Sequence, residues 1–160
     1  VPIIKKHNLV LIEDAAHSFG CQINSCSTKP KVGSFADITT FSFHPVKNIT
    51  TCEGGMTVTN NEEYYKRMKS FLTHGITRDY KDREKNASHY YEMVDLGYNY
   101  RIPDLLCALG ISQMNKIDHF VNKRNDIASY YIESFVNSEI AEQYVNEDAC
   151  SSYHLFTIRV

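Results

Sequence analysis

Neither sign of charge is in excess in this chain. Lysine and arginine number 17 and aspartate and glutamate 19, a formal net charge of −2 over 160 residues. That balance removes the basic footprint that nucleic-acid binding requires, and with it the polybasic surface that anionic lipid attracts. Long apolar runs are missing too. The longest aliphatic one is Leu9 to Ile12, against about 20 residues for a membrane-spanning helix. Lys5, Lys6 and His7 precede only that short stretch, so no secretory signal is expected. The five cysteines (Cys21, Cys26, Cys52, Cys107 and Cys150) are odd in number and scattered, which argues against a disulfide scaffold. Cys21 and Cys26 have no second pair at zinc-binding spacing, so no metal site is expected. Reduced thiols without a signal point to the cytoplasm.

What is present is enough for a core. Hydrophobic residues make up 42% of the chain, and a compact chain of this length buries roughly 68–70% of its unfolded surface. Leu9-Val10-Leu11-Ile12 does not alternate, and reads as a strand buried on both faces, as in parallel sheets. It runs into Glu13 and Asp14, at the strand end where open α/β sheets place ligands. Residues 24–34 are polar with Pro and Gly, a loop. Ile38 to Phe43 is β-branched and aromatic, a second strand, and Met56 to Thr59 is a short third. Asn61 caps a helix with Glu62 and Glu63 in its first turn and an end near Gly75. Residues 76–92, with Tyr80, Tyr90 and Tyr91, read as an exposed loop. Pro103 opens a long helix whose apolar face runs from Leu105 to Ile117. A further helix is expected from about Val121 to Phe135. Tyr153 to Val160 alternates like a strand. The order is mixed α/β with no linker clear enough to divide the chain. Val1 in place of Met, and a strand pattern running to the last residue, lead us to expect a piece truncated at both ends.

Two constellations could carry chemistry. Lys47 follows the strand that ends at Ser42-Phe43-His44-Pro45 and precedes Glu53-Gly54-Gly55. A lysine held in a cleft there is desolvated, loses pKa and can attack a carbonyl; a solvated surface lysine is the alternative. Asp14, at the mouth of the first strand, can hold a positive ring nitrogen or cap a helix beginning at Ala15. His17 lies about one turn further on if that helix forms. A Schiff-base lysine and a carboxylate facing a pyridinium nitrogen are the two protein groups that pyridoxal phosphate requires. Ser42 can offer its hydroxyl to a phosphate.

Several ordered motifs resemble the DegT/DnrJ/EryC1/StrS aminotransferases. They are Glu13-Asp14-Ala15-Ala16-His17, Gly33-Ser34-Phe35-Ala36-Asp37, Phe41-Ser42-Phe43-His44-Pro45-Val46-Lys47 and Glu53-Gly54-Gly55. Downstream are His74-Gly75, Leu96-Gly97-Tyr98-Asn99-Tyr100-Arg101 and Ala108-Leu109-Gly110. The resemblance covers essentially the whole chain. It implies an α/β fold: the central part of the large domain of an aspartate-aminotransferase-like, fold type I enzyme, with a mixed, mostly parallel sheet and flanking helices. Residues 1–150 would be part of the pyridoxal-phosphate domain, and residues 151–160 the first strand of a small C-terminal domain. The stretch from His44 to Thr51 is most similar to the branch that aminates UDP-linked 4-keto-6-deoxy-N-acetylhexosamines, with an aminoarabinose-type branch second. Implied substrates are a nucleotide sugar and an amino-acid donor, glutamate. By the resemblance, Lys47 is the Schiff-base lysine and Asp14 the partner of the pyridine nitrogen. His17 lies on the ring-hydroxyl side, and Ser42 contacts the phosphate. Asn99 reaches the phosphate of a neighbouring subunit, which implies a homodimer. Arg101 has no assigned role. The family's phosphate-holding loop and stacking aromatic residue have no counterpart in the chain. One alternative is therefore a non-catalytic dimerisation or binding piece. The other is a sugar dehydratase of the same family, disfavoured because those enzymes carry histidine where this chain has Lys47.

Overall fold

The computed structural model describes residues 2–23, 29–76 and 91–160. Residues 24–28 of the first expected loop, with Cys26, and residues 77–90 of the second, with Tyr80 and Tyr90, lie outside the described residues. In chain order the elements are α1 (Pro2–His7), β1 (Ile12–Asp14), β2 (Gln22–Ile23), β3 (Ile38–Ser42), β4 (Gly55–Val58) and α2 (Glu62–Leu72). Then follow α3 (Asp104–Met114), α4 (Ile117–Phe135), β5 (Ala141–Glu142), β6 (Ala149–Cys150) and β7 (Ile158–Arg159). The main sheet has the order β1-β3-β4. β1 and β3 run parallel with Asp14 opposite Thr40, and β4 returns antiparallel with Gly55 opposite Ser42. Of two small antiparallel pairs, β2 with β6 ties the C-terminal stretch back to earlier chain, and β5 with β7 closes that stretch on itself.

The first expected strand is corrected. It starts at Ile12, not Leu9, and is not buried on both faces: Leu9 is 52% and Ile12 66% exposed. The cause is position, because β1 is an edge strand with β3 as its one neighbour among the described residues. The Leu11 backbone is nonetheless held, donating to the Asp37 carboxylate (2.8 Å) and accepting from Asp37 and Ile38 N–H. α2 forms where its cap and charges place it. Asn61 Oδ1 accepts from Glu63 N (2.9 Å) and Tyr64 N (3.2 Å), supplying partners for orphan donors of the first turn. Its C-terminal end is closed by Gly75, at φ +66°, whose N–H donates to Ser70 O.

Two further expectations shift. The helix opened by Pro103 stops at Met114, and α4 starts at Ile117 rather than Val121. The break turns the chain so that Ile117, Val121 and Ala128 all fall on the buried face of α4. Tyr153 to Val160 is extended into a ladder only at Ile158 and Arg159. Tyr153 adopts φ +40°, and the Tyr153 and His154 carbonyls accept from Arg124 instead of a neighbouring strand.

The core joins sheet to α4. Phe43, Ile49, Ile117 and Val121 are buried together, with Phe19, Phe41 and Phe120 against them. The Phe19 ring stands edge-on to Phe41 at 5.0 Å and to Phe43 at 5.5 Å, a favoured aromatic arrangement. Gly20 allows this contact: a Cβ there would lie 2.8 Å from a Val121 methyl, and its φ of +89° is one that glycine takes without strain. Among the described residues, no helix is long and apolar enough to cross a membrane.

Candidate active site

Lys47 sits on a loop that closes on itself. Where β3 ends, Phe43 N–H donates to Gly54 O (2.9 Å), and Phe43 O accepts from Thr51 N (3.0 Å) and Thr50 Oγ1 (3.1 Å). Within the loop, Thr51 Oγ1 donates to Glu53 O and Thr50 Oγ1 accepts from Cys52 N, both at 2.8 Å. Lys47 N–H donates to His44 O (3.0 Å), making a tight turn at the loop tip. Asn48, Ile49 and Thr51 are buried beneath it, and Lys47 itself is half-buried.

The loop is tied to the chain leaving β1. Asn48 Nδ2 donates to Phe19 O (2.8 Å). On that side, Ala15 is buried and continues the ladder by donating to Thr40 O (2.9 Å). No helix begins there, which corrects the helix-cap reading of Asp14. Its Oδ1 accepts from Ala16 N (3.0 Å) and closes a turn instead. Its second oxygen has no hydrogen-bond partner among the described residues, and the residue is exposed. Glu13 is different: its carboxylate is taken up by Thr39 Oγ1 (2.9 Å) and Gly33 N (3.2 Å), a structural role. Asp14 and Ser42 therefore stand at the C-terminal ends of adjacent parallel strands. The Ser42 hydroxyl accepts from His44 N at 3.4 Å.

His17 is exposed on the turn after Asp14, and its ring lies 4.5 Å, edge-on, from that of His154. His154 titrates below the ordinary histidine value of 6.5 because it is partly buried and because Lys47, His17 and Arg124 surround it with positive charge. The neighbourhood of Lys47 thus includes a residue that the sequence reading left in a strand. Asn99 is held by other partners. It is exposed, its Oδ1 accepts from Arg101 Nε (3.1 Å), and its backbone bridges to Thr73. Tyr98 and Tyr100 stack on each other beside it, 5.1 Å apart.

The model of the DegT/DnrJ/EryC1/StrS aminotransferase family matches residues 1–160. The chain belongs to that family. Among curated relatives, it is 42% identical over 157 residues to the UDP-4-amino-4,6-dideoxy-N-acetyl-beta-L-altrosamine transaminase of Campylobacter jejuni subsp. jejuni serotype O:23/36 (strain 81-176). That match covers 98% of this chain and 39% of the relative. Among solved structures, Helicobacter pylori PseC, an aminotransferase of pseudoaminic acid biosynthesis, aligns with a TM-score of 0.83 at 34% identity. It covers 98% of this chain and 40% of that one. The PMP-form of the putative sugar aminotransferase Spr1654 from Streptococcus pneumoniae aligns with a TM-score of 0.84 at 33% identity, covering 99% of this chain and 41% of that one. The chain therefore spans about two-fifths of the length of these relatives. DegT/DnrJ/EryC1/StrS aminotransferases have fold type I and use pyridoxal phosphate, and Spr1654 is solved in both PLP and PMP forms. The donor set here fits that cofactor: a half-buried amine, a carboxylate with one oxygen unengaged, and a hydroxyl, gathered at the ends of adjacent strands.

Proposed function

We propose that this chain is the central piece of a longer pyridoxal-phosphate enzyme that transfers an amino group to C4 of a nucleotide-linked 4-keto sugar. Glutamate is the amino donor. The observation that carries this reading is the placement of Lys47: half-buried at the tip of a closed loop, beside the parallel strand that ends in Asp14. When bound, pyridoxal phosphate supplies a reactive carbonyl carbon and an electron-withdrawing ring. Lys47 Nζ would hold it. Freed from that hold by the incoming amino group, Nζ would move the proton from the donor's α-carbon to the cofactor's former carbonyl carbon in one half-reaction, and from that carbon to the sugar's C4 in the other. Asp14 would keep the ring nitrogen protonated through the oxygen that the turn leaves over, His17 would serve the side of the ring hydroxyl, and the Ser42 hydroxyl would hold the phosphate. Asn99 serves the phosphate of the second subunit of a homodimer. Residues 1–150 belong to the large domain and residues 151–160 open the small one. The enzyme works in the cytoplasm.

The test uses the full-length protein that carries this chain, with pyridoxal phosphate, glutamate and a UDP-4-keto-6-deoxy-N-acetylhexosamine. Mass spectrometry is expected to show the 4-amino sugar. Lys47→Ala is expected to lose the rate by roughly 10³-fold or more, since a positioned acid–base group contributes about 10²–10⁴-fold. An unchanged rate in that variant would contradict the reading.

A further inference from the structure

We propose that His154 is a binding residue of the same site, donating a hydrogen bond from Nδ1 to an anionic oxygen, carboxylate or phosphate, of a bound substrate. This rests on the function proposed above only in taking the surroundings of Lys47 as the site.

The backbone around His154 is fixed from several elements. Arg124 Nη1, on α4, donates to Tyr153 O (3.0 Å) and His154 O (3.4 Å). Asn125 Nδ2, also on α4, donates to Ser151 O (2.9 Å). Ser152 is fully buried, and its N–H donates to Cys21 Sγ (3.2 Å) beside β2. So held, the His154 ring meets His17, and its Nδ1 is buried with no hydrogen-bond partner among the described residues. A buried nitrogen without a partner carries a desolvation penalty, and a ligand atom would relieve it.

The charges around the ring say which kind of atom. Lys47 comes from the loop after β3, His17 from the turn after β1, and Arg124 from α4. All three disfavour a further positive charge, and among the described residues no carboxylate counters them; His17 and Arg124 keep this effect once Lys47 holds the cofactor. At pH 7 the ring is therefore a neutral imidazole within a positive surround. An anion entering it reverses the balance, favours the imidazolium and draws a proton from solvent onto the ring. Both substrates of the proposed reaction carry such groups: carboxylates on the amino donor and phosphates on the nucleotide.

Calorimetry on the pyridoxal-phosphate-loaded full-length protein separates the sources. 2-Oxoglutarate and UDP are titrated separately at pH 7, each in two buffers of different ionisation enthalpy. Proton uptake is expected with one probe, whose affinity falls as pH rises from 6 to 8. That probe names the source: 2-oxoglutarate the carboxylate, UDP the phosphate. His154→Gln is expected to bind it about tenfold or more weakly, because a charge-assisted hydrogen bond is lost, and without that uptake. His119→Gln, at an exposed histidine of α4, is expected to behave as wild type. Binding of neither probe, binding without proton uptake, or uptake that persists in His154→Gln would overturn the proposal. If His154→Gln melts too low to titrate, an affinity unchanged between pH 6 and 8 in the wild-type protein overturns it as well. Proton uptake by a protein that shows no amino transfer would contradict the proposed function and leave this site standing.

Discussion

The stretch from Ile38 to Val58 and the stretch from Ala141 to Val160 both reach the surroundings of Lys47, by opposite means. The first is local. β3 and β4 pair along their length, and the loop between them is closed by its own backbone and threonine hydroxyls. The second has little structure of its own. Its strands are two residues long, and it is held by Arg124, Asn125 and Cys21, which are far away in sequence. A self-closed loop can position a nucleophile wherever it is formed. A segment held from outside positions a residue only once the rest of the domain is in place.

The difference predicts how each region breaks. Phe43 is buried in the core that the first stretch shares with α4. Phe43→Ala is expected to cost about 3–5 kcal/mol, read as a lowered denaturant midpoint, and to release the cofactor as well. A cost below about 1 kcal/mol would mean that this core does not hold the loop. Arg124→Met retains the aliphatic stem and removes the donors to Tyr153 and His154. Its expected cost is smaller, about 1–3 kcal/mol for a lost hydrogen bond from a charged group. The visible absorbance of bound pyridoxal phosphate should persist, while the affinity for the anionic probe falls. Loss of that absorbance would show that the two regions are not separable.

The smallest expected effect is in pH. The folded-state pKa of His154 lies below 6.5 because of burial and the charges of Lys47, His17 and Arg124. Just below pH 6.5 the unfolded chain therefore binds more protons than the folded one, so stability rises with pH through that window and is lost as pH falls. Thermal melts between pH 5 and 8 should show a shallower decline for His154→Gln than for wild type. Parallel profiles would mean that the ring does not feel its neighbours.

The same contrast sets what the sequence could disclose. The Asn61 cap, the strands at Ile38 and Met56 and the loop bearing Lys47 were legible because each is written in neighbouring residues. The extent of β1 was not, because the burial of an apolar run depends on what covers it. The C-terminal stretch misled because alternation is a necessary mark of a half-buried strand and not a sufficient one; Arg124 claims the carbonyls that a ladder would have used. His154 was missed for the same reason. Its only local signal is a polar residue within an apolar alternation, and its meaning depends on His17 and Lys47, more than a hundred residues earlier. Asp14 was half-legible: it closes a turn as well as ending a strand, and one carboxylate oxygen suffices for the turn.

The account rests on Lys47 as the residue that takes the cofactor. The direct measurement is borohydride reduction of the full-length protein with pyridoxal phosphate, followed by digestion and peptide mass mapping. A stable pyridoxyl mass is expected on the peptide containing Lys47, and is expected to be absent from the Lys47→Ala protein. Labelling confined to other lysines, or unchanged in Lys47→Ala, would contradict the account.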